Sequence, residues 1–227
     1  MARPHPLDRP VWQALTTRQA PLAIGNAAAL RLSPDYGPFA AAADGSAESL
    51  AALAALLPAE GGLWLLEAGE MPAPPGTAIT ARAACHQMIA ERVAPHVPAT
   101  AFEPLGENDA AEMRALAALT RPGPFAGHTH RFGGFIGVRV AGRLVAMAGE
   151  RMKPDGYAEV SGVCTHPDHR GRGHAAALMR AVMAGIAARG ETPFLHVYAS
   201  NGGAVALYET LGFAIRATLT KTVLVRA

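Results

Sequence analysis

Apolar residues recur at helical spacing between residues 174 and 189. They fall on one side of the helix that this spacing predicts, and they are Leu178, Met179, Val182, Met183 and Ile186. Gly190 is expected to end the helix. Residues 160–165 are apolar and β-branched, as in a largely buried strand, and Pro167-Asp168 indicates a turn. This stretch therefore predicts a strand, a turn and a long helix in direct succession.

The first 98 residues carry shorter and less regular patterns. Ser46 is a favourable N-cap for a helix over residues 47–57, which Pro58 is expected to end. Residues 78–82 and 85–89 predict two short strands. Because strand and helix signals alternate, we predict a small α/β or α+β unit here.

The segment Ala94-Pro-His-Val-Pro98 predicts an extended linker, since it holds two prolines within five residues. We therefore predict a smaller N-terminal α/β domain over residues 1–98 and a second domain over residues 99–227. In the second domain the order of the signals is β-α-loop-β-β-β-α-β-α-β. Both domains belong to the α/β (α+β) class.

Composition excludes several classes of protein. Half of the 227 residues are apolar and the formal net charge is +2, which is typical of a globular protein. There is no basic run that would bind nucleic acid or a membrane surface, and the longest apolar stretch, residues 50–57, is too short to span a bilayer. Two scattered cysteines and an N-terminus without an apolar segment lead us to expect a cytoplasmic protein.

The turn before the long helix has the composition of an anion-binding site. A glycine turn at a helix start leaves backbone N–H groups unpaired at the positive end of the helix dipole, and Arg170 and Arg172 add charge there. Neither the Walker loop nor the dinucleotide fingerprint fits, because no Lys-Ser or Lys-Thr follows and position 176 is alanine. The pattern that fits is R-x-x-G-x-A over residues 170–175.

This pattern resembles the pyrophosphate loop of the GNAT superfamily of N-acyltransferases. A second segment, residues 201–213, is similar to the family's N-x-x-A-x-x-L-Y-E-x-L-G-F signature. The resemblance implies a mixed, splayed central sheet flanked by helices. It also implies an enzyme that moves an acetyl or acyl group from acetyl-CoA to a primary amine by direct attack in a ternary complex. The two-part chain resembles the glycine N-acyltransferase-like branch, in which residues 1–98 would be a degenerate copy of the fold.

The resemblance also implies roles for individual residues. In the family the strand before the loop pairs with pantetheine, and Tyr208 would protonate the departing CoA sulfur as the general acid. The helix-start residue Asn201 would contact the cofactor as well. Together the residues implied to bind the cofactor are Val163, Cys164, Thr165, Arg170, Gly171, Arg172, Gly173, His174, Ala175 and Asn201.

Three candidates for the general base stay open. Glu159 lies eleven positions before Arg170, a spacing similar to that of the catalytic glutamate of the histone-acetylating branch. Strict alternation along the strand would place Glu159 and Val163 on one face, unless Gly162 marks a β-bulge. Glu150 and a base acting through water are the alternatives.

The sequence also leads to expectations about metals, the acceptor and partner chains. Histidines at positions 166, 169 and 174 cluster, but their spacing is not that of a zinc site, and we predict no metal. The acceptor is expected to be a small-molecule amine or a peptide or protein amine. A homodimer is compatible with the loose N-terminal part. The alternative to an enzyme is a non-catalytic CoA-binding or regulatory module with the same loop.

Overall fold

A computed structural model describes residues 5–93 and 101–227 of the chain. Within these residues the helices are α1 (Pro10–Thr16), α2 (Ala47–Ala55), α3 (Ala110–Thr120), α4 (His174–Ala188) and α5 (Gly202–Thr210). The strands are β1 (Ala23–Gly25), β2 (Ala29–Leu32), β3 (Ala40–Ala42), β4 (Leu63–Glu67), β5 (Thr77–Ile89), β6 (Glu103–Pro104), β7 (Ile136–Val140), β8 (Arg143–Glu150), β9 (Tyr157–Thr165), β10 (Thr192–Tyr198) and β11 (Ala214–Arg226). The predicted linker, residues 94–98, lies outside the described residues.

One eight-stranded sheet organises the molecule, in the order β4-β11-β5-β10-β9-β8-β7-β6, and β1, β2 and β3 form a smaller separate sheet. Among the strands that the structure describes, β9 and β10 are the one parallel pair of the large sheet, and the other neighbours are antiparallel. This mixed sheet with flanking helices confirms the predicted fold class. Strands β4 and β5 come from residues 1–98, yet they lie in the same sheet as the strands of residues 99–227. The division into two domains stays a prediction, and residues 1–98 and 99–227 both contribute strands to this sheet.

The parallel pair β9 and β10 separates partway along its length. The two strands are in register only from Thr192 opposite Tyr157 to Phe194 opposite Glu159. Beyond that point β9 continues beside β8, and β10 continues beside β5. A gap therefore opens between the last residues of β9 and those of β10, as the predicted splayed sheet requires.

A β-bulge at Gly162 sets which side chains of β9 face the gap. The register with β8 jumps from Cys164 opposite Met147 to Ser161 opposite Gly149, so β9 holds one extra residue, and Gly162 has a φ of 65°. Val160 and Val163 consequently both pack on the α4 side of the sheet. Glu159 points to the opposite side, because side chains alternate along the strand before the bulge.

The long helix α4 covers one face of the sheet with the residues that its periodicity predicted. All five predicted core residues of this helix are buried, which confirms that part of the pattern: Leu178, Met179, Val182, Met183 and Ile186. The opposite face is covered by α3, through Met113 and Leu116, and by the N-terminal segment, through Val11 and Leu15. The predicted cap of α2 is also present, since the Ser46 hydroxyl accepts the Ser49 N–H at 3.2 Å.

Strand β5 differs from its prediction. One uninterrupted strand replaces the two short strands expected over residues 78–82 and 85–89. It is in register with β11 from Thr77 opposite Arg226 to Ile89 opposite Ala214. The intervening residues Ala83 and Ala84 carry no strand-breaking feature, and β11, which is equally long, pairs with β5 along its length apart from two register shifts.

Candidate active site

The predicted anion-binding turn lies between β9 and α4. Gly171 and Gly173 have φ angles of 74° and 78°, in the left-handed region that glycine adopts without strain. Gly173 is the N-cap of α4, and its carbonyl accepts the Ala177 N–H at 3.0 Å. The N–H groups of residues 174–176 have no intrahelical partner. A Cβ on Gly171 or Gly173 would meet no heavy atom within 4 Å. The turn thus directs backbone donors into open space at the positive end of the helix.

This turn forms one end of a cleft of about 430 Å³ that follows the gap between β9 and β10. Helix α5 supplies the other wall. The structure brings all ten residues expected to bind the cofactor to this cleft, namely Val163, Cys164, Thr165, Arg170, Gly171, Arg172, Gly173, His174, Ala175 and Asn201. No aspartate or glutamate is among the lining residues, so the cleft is positively charged. Such a site favours a phosphorylated ligand.

Tyr208 lines the same cleft from α5. Its ring also contacts Phe213, with 6.3 Å between the ring centroids, so packing and exposure to the cleft occur together. Burial raises the pKa of the Tyr208 phenol above its usual value, which keeps the hydroxyl protonated. Asn201 caps the start of α5, since its side chain accepts the Ala204 N–H at 3.2 Å.

Glu159 is not brought to the cleft. Its side chain is fully buried on the other side of the sheet, and Arg151 binds it through two hydrogen bonds of 2.6 and 2.8 Å. The Nδ1–H of His196 donates a third hydrogen bond at 2.8 Å, with the Met152 N–H beside it at 3.2 Å. Burial alone would raise the pKa of Glu159, but Arg151 and His196 outweigh it and hold that pKa well below its usual range. A carboxylate so fully engaged is a weak proton acceptor.

A chain of hydrogen bonds fixes His196 in this arrangement. The guanidinium of Arg216 donates to the Gln87 side-chain oxygen at 2.5 Å, which leaves the Gln87 amide as a donor. That amide donates to the Leu7 carbonyl at 2.8 Å and to His196 Nε2 at 3.0 Å. His196 must therefore carry its proton on Nδ1, where Glu159 accepts it. The network ties the N-terminal segment to strands β9 and β10.

The second candidate base is also engaged elsewhere. Glu150 is buried, and its carboxylate lies 2.8 Å from Lys153 Nζ and 2.9 Å from an Arg189 guanidinium nitrogen. It does not line the cleft. Neither glutamate that the sequence offered as a base therefore reaches the gap in the sheet.

The thiol of Cys164 faces the α3 side and is buried. Burial raises its pKa to about 11, so the thiolate needed for a covalent acyl-enzyme is scarce at neutral pH. Among the described residues no group of three or more His, Cys, Asp or Glu side chains is placed to hold a metal ion. Two histidines of the loop between α3 and β7 each contact one carboxylate, with His130 3.0 Å from Glu107 and His128 3.7 Å from Asp35.

Five lining residues were not predicted as site residues: Thr120, His169, Ala176, Ala204 and Leu207. Ala204 lies one helical turn before Tyr208, so the spacing along α5 could have found it, whereas Leu207 directly precedes Tyr208 in the sequence. Thr120 has no such signal, because it is brought to the cleft by the packing of α3 against β9.

The sheet is mixed and splayed, with an anion-binding turn on one side of the gap and Tyr208 on the other. This combination is that of the acyl-CoA-dependent acyltransferases. The family model described as "FR47-like protein" matches residues 135–223. A crystal structure from Novosphingobium aromaticivorans, described as a "Putative Acetyltransferase from the GNAT family", is 51% identical, with a TM-score of 0.94 over 99% of this chain and 100% of its own. The chain belongs to the GNAT family of N-acetyltransferases, enzymes that transfer an acetyl group from acetyl-CoA. The family resemblance and the prediction of an enzyme are confirmed.

More distant structures share the fold alone. A GCN5-related N-acetyltransferase from Kribbella flavida is 23% identical, with a TM-score of 0.60 over 94% of both chains. One from Sphaerobacter thermophilus is 17% identical, with a TM-score of 0.53 over 75% of this chain and 62% of its own. The comparison with curated proteins found no match. The glycine N-acyltransferase-like branch stays a prediction.

No helix in residues 5–93 or 101–227 is long and apolar enough to cross a membrane. The expected cytoplasmic location and the homodimer stay predictions.

Proposed function

We propose that the protein transfers the acetyl group of acetyl-CoA to a primary amine by direct attack, with both substrates bound at once. The acceptor is a small-molecule amine or the amine of a peptide or protein. The observation that carries this proposal is that one cleft brings together the turn at residues 170–175, the unpaired edge of β9 and the phenol of Tyr208. These are the groups needed to hold a thioester donor and to assist its leaving group.

The donor is held along the gap in the sheet. The backbone N–H groups at the start of α4, with Arg170 and Arg172, bind the pyrophosphate. Past Glu159, β9 has no register partner on β10, so backbone groups of residues 163–165 are available to the pantetheine chain. An N–H of this edge polarises the thioester carbonyl and stabilises the negative charge that develops on its oxygen.

Tyr208 assists departure of the thiolate. Its protonated phenol donates to the CoA sulfur as the carbon–sulfur bond breaks, and the amine nitrogen forms the new bond to the acetyl carbon. The proton on the attacking amine leaves through water, or the amine enters already deprotonated. The burial of Glu159 and its contacts with Arg151 and His196 support this assignment over direct proton transfer to that carboxylate.

The test is CoA release from acetyl-CoA over a panel of primary amines, from small amines to peptides, with Tyr208→Phe as the variant. We expect kcat to fall by about 10²- to 10⁴-fold in this variant, since a general acid contributes on that order, while acetyl-CoA still binds. Tyr198→Phe is the matched control, because Tyr198 is exposed outside the cleft and its hydroxyl contacts only Lys221 Nζ among the described residues. Full activity in Tyr208→Phe would refute its role, and no CoA release by the native protein with any amine would refute the acceptor class.

A further inference from the structure

The cleft ends on β9 at the bulge. Its lining residues on that strand are 163–165, and Gly162 is the next residue toward the point where β9 and β10 come together. Under the proposed function the pyrophosphate lies at residues 170–175 and the pantetheine chain runs along residues 163–165. The thioester therefore reaches the strand near Val163, and the acyl group extends past it toward Gly162.

An aromatic ring fills the space beside Gly162. A Cβ on Gly162 would lie 2.8 Å from Cε1 of Phe135, so this ring lies directly against the backbone of the bulge. A Cβ on Gly149, which is opposite Ser161 on β8, would overlap the same ring. Glycine on both strands thus makes room for the Phe135 side chain, and that residue is only 3% exposed.

A second ring extends this wall toward the surface. Phe125 lies between α3 and β7, and its ring packs edge to face against Phe135, with 5.7 Å between the ring centroids. A Cβ on Gly162 would lie 3.8 Å from Cε2 of Phe125. Phe125 is partly buried, whereas Phe135 belongs to the buried cluster that packs against α3. Phe125 is therefore the ring of this pair that can be replaced with the smaller disturbance of the core.

The sheet itself closes the other directions from Gly162. Val160 and Val163 pack into the cluster on the α4 side. Toward the start of β9 the gap ends at Glu159, which is in register with Phe194 on β10. An acyl chain that runs past Val163 consequently meets valine side chains on one side, paired strands ahead of it and the two phenylalanine rings on the other side.

We propose that Phe125 and Phe135 set the length of the acyl group that the enzyme accepts, because they close the space beyond the thioester to chains much longer than acetyl. The inference rests on the proposed function, since it needs the donor to lie along β9. A longer chain has to displace a packed ring or leave its own methylenes without contacts. The two phenylalanines are thus specificity-determining residues and take no part in proton transfer.

Calorimetric titration with CoA, acetyl-CoA, butyryl-CoA and hexanoyl-CoA measures this limit without an acceptor amine. With native protein we expect CoA and acetyl-CoA to bind with similar affinity. Hexanoyl-CoA should bind about tenfold more weakly or worse, as expected when extra methylenes are forced into a packed space, with butyryl-CoA between them.

Phe125→Ala should remove this discrimination. Hexanoyl exceeds acetyl by a butyl chain, which is smaller than the phenyl ring that the substitution removes. Each methylene that enters the vacated apolar space should raise the affinity for the acyl-CoA about fourfold over that of native protein. Phe125→Leu is a milder change, and its ratio of hexanoyl-CoA to acetyl-CoA affinity should fall between those of native protein and Phe125→Ala.

Phe102→Ala is the matched control. Phe102 is also partly buried, but it packs against the cluster on the α4 side and does not line the cleft. Its substitution should leave the ratio of the two affinities at the native value. Thermal unfolding of each variant shows whether it is folded.

The outcomes separate this inference from the proposed function. Hexanoyl-CoA that binds native protein as tightly as acetyl-CoA overturns the limit on acyl length. An unchanged affinity ratio in a folded Phe125 variant, or the same change of ratio in Phe102→Ala, overturns the role of Phe125. These results leave the acetyl-CoA site in place, whereas failure of native protein to bind either CoA or acetyl-CoA overturns both proposals.

Discussion

Replacing Gly173 with alanine should weaken acetyl-CoA binding about tenfold or more, while the fold loses only the strain of one alanine in the left-handed region. Gly173 combines a φ of 78° with open space around its missing Cβ, at the N-cap of α4. The same helix offers a matched position at its other end. Gly190 has a φ of 76°, and a Cβ there would likewise meet no heavy atom within 4 Å. The two substitutions therefore impose the same backbone strain in different surroundings.

The magnitude follows from this geometry. A non-glycine residue in the left-handed region costs about 1–2 kcal/mol, and nothing else in the fold is displaced at either position. In a chain of this size a loss of about 1 kcal/mol lowers the Tm by about 2–4 °C. In the proposed donor site, the new methyl group at Gly173 also stands where the pyrophosphate would approach the backbone donors. Loss of one hydrogen bond to a charged group, about 1.5–3 kcal/mol, weakens acetyl-CoA binding by about tenfold or more.

The assay pairs thermal unfolding with calorimetric titration of acetyl-CoA for both variants. Gly173→Ala and Gly190→Ala should show Tm values lowered by similar amounts, and only Gly173→Ala should lose affinity. Equal affinity in the two variants would refute the reasoning, because the turn would then not contact the pyrophosphate. A much larger loss of stability at Gly173 than at Gly190 would also contradict the matched geometry.

Two further predictions concern buried groups. Glu159→Gln should lower stability at pH 7 by about 3–5 kcal/mol, since it removes the charge of a fully buried carboxylate and leaves the Arg151 guanidinium, which is only 12% exposed, without its charged partner. Because the pKa of Glu159 is depressed, its contribution to the free energy of unfolding is present above the unfolded-state pKa of about 4.3 and is lost as the pH falls from there toward the folded-state pKa. Below this pH the Tm of the variant should therefore vary less with pH than that of the native protein. An unchanged Tm at pH 7 would contradict the buried pair. The Cys164 thiol, whose pKa burial raises to about 11, should be alkylated slowly at pH 8, where about one molecule in a thousand is thiolate. Rapid labelling of native protein at this position, located by mass spectrometry, would contradict its burial.

The grouping of residues at the proposed donor site could be predicted because its determinants are local in sequence. The turn at residues 170–175 and the helix after it depend on glycines, a helix start and apolar spacing, all within one continuous stretch. The residues expected to bind the cofactor therefore line one cleft. Tyr208 followed from a second continuous motif on α5 in the same way.

The position of Glu159 could not be predicted, because it depends on residues distant in sequence. Gly162 was recognised as a candidate bulge, and the bulge decides that Glu159 and Val163 lie on opposite faces. The carboxylate of Glu159 is bound by Arg151 and by His196 on β10. His196 is in turn held by Gln87, which also donates to the Leu7 carbonyl in the N-terminal segment. No periodicity or spacing within β9 carries that information.

The place of β5 in the middle of the sheet has a consequence for how the chain folds during synthesis. Its neighbours there are β10 and β11, and its first residue, Thr77, pairs with Arg226. On the ribosome, β5 is complete long before either neighbour has emerged, so both its edges remain unpaired over most of translation. Contacts so far apart in sequence form slowly, and an unpaired strand edge promotes aggregation. Expression yield should therefore depend on chaperones and growth temperature more strongly than the stability of the finished protein suggests.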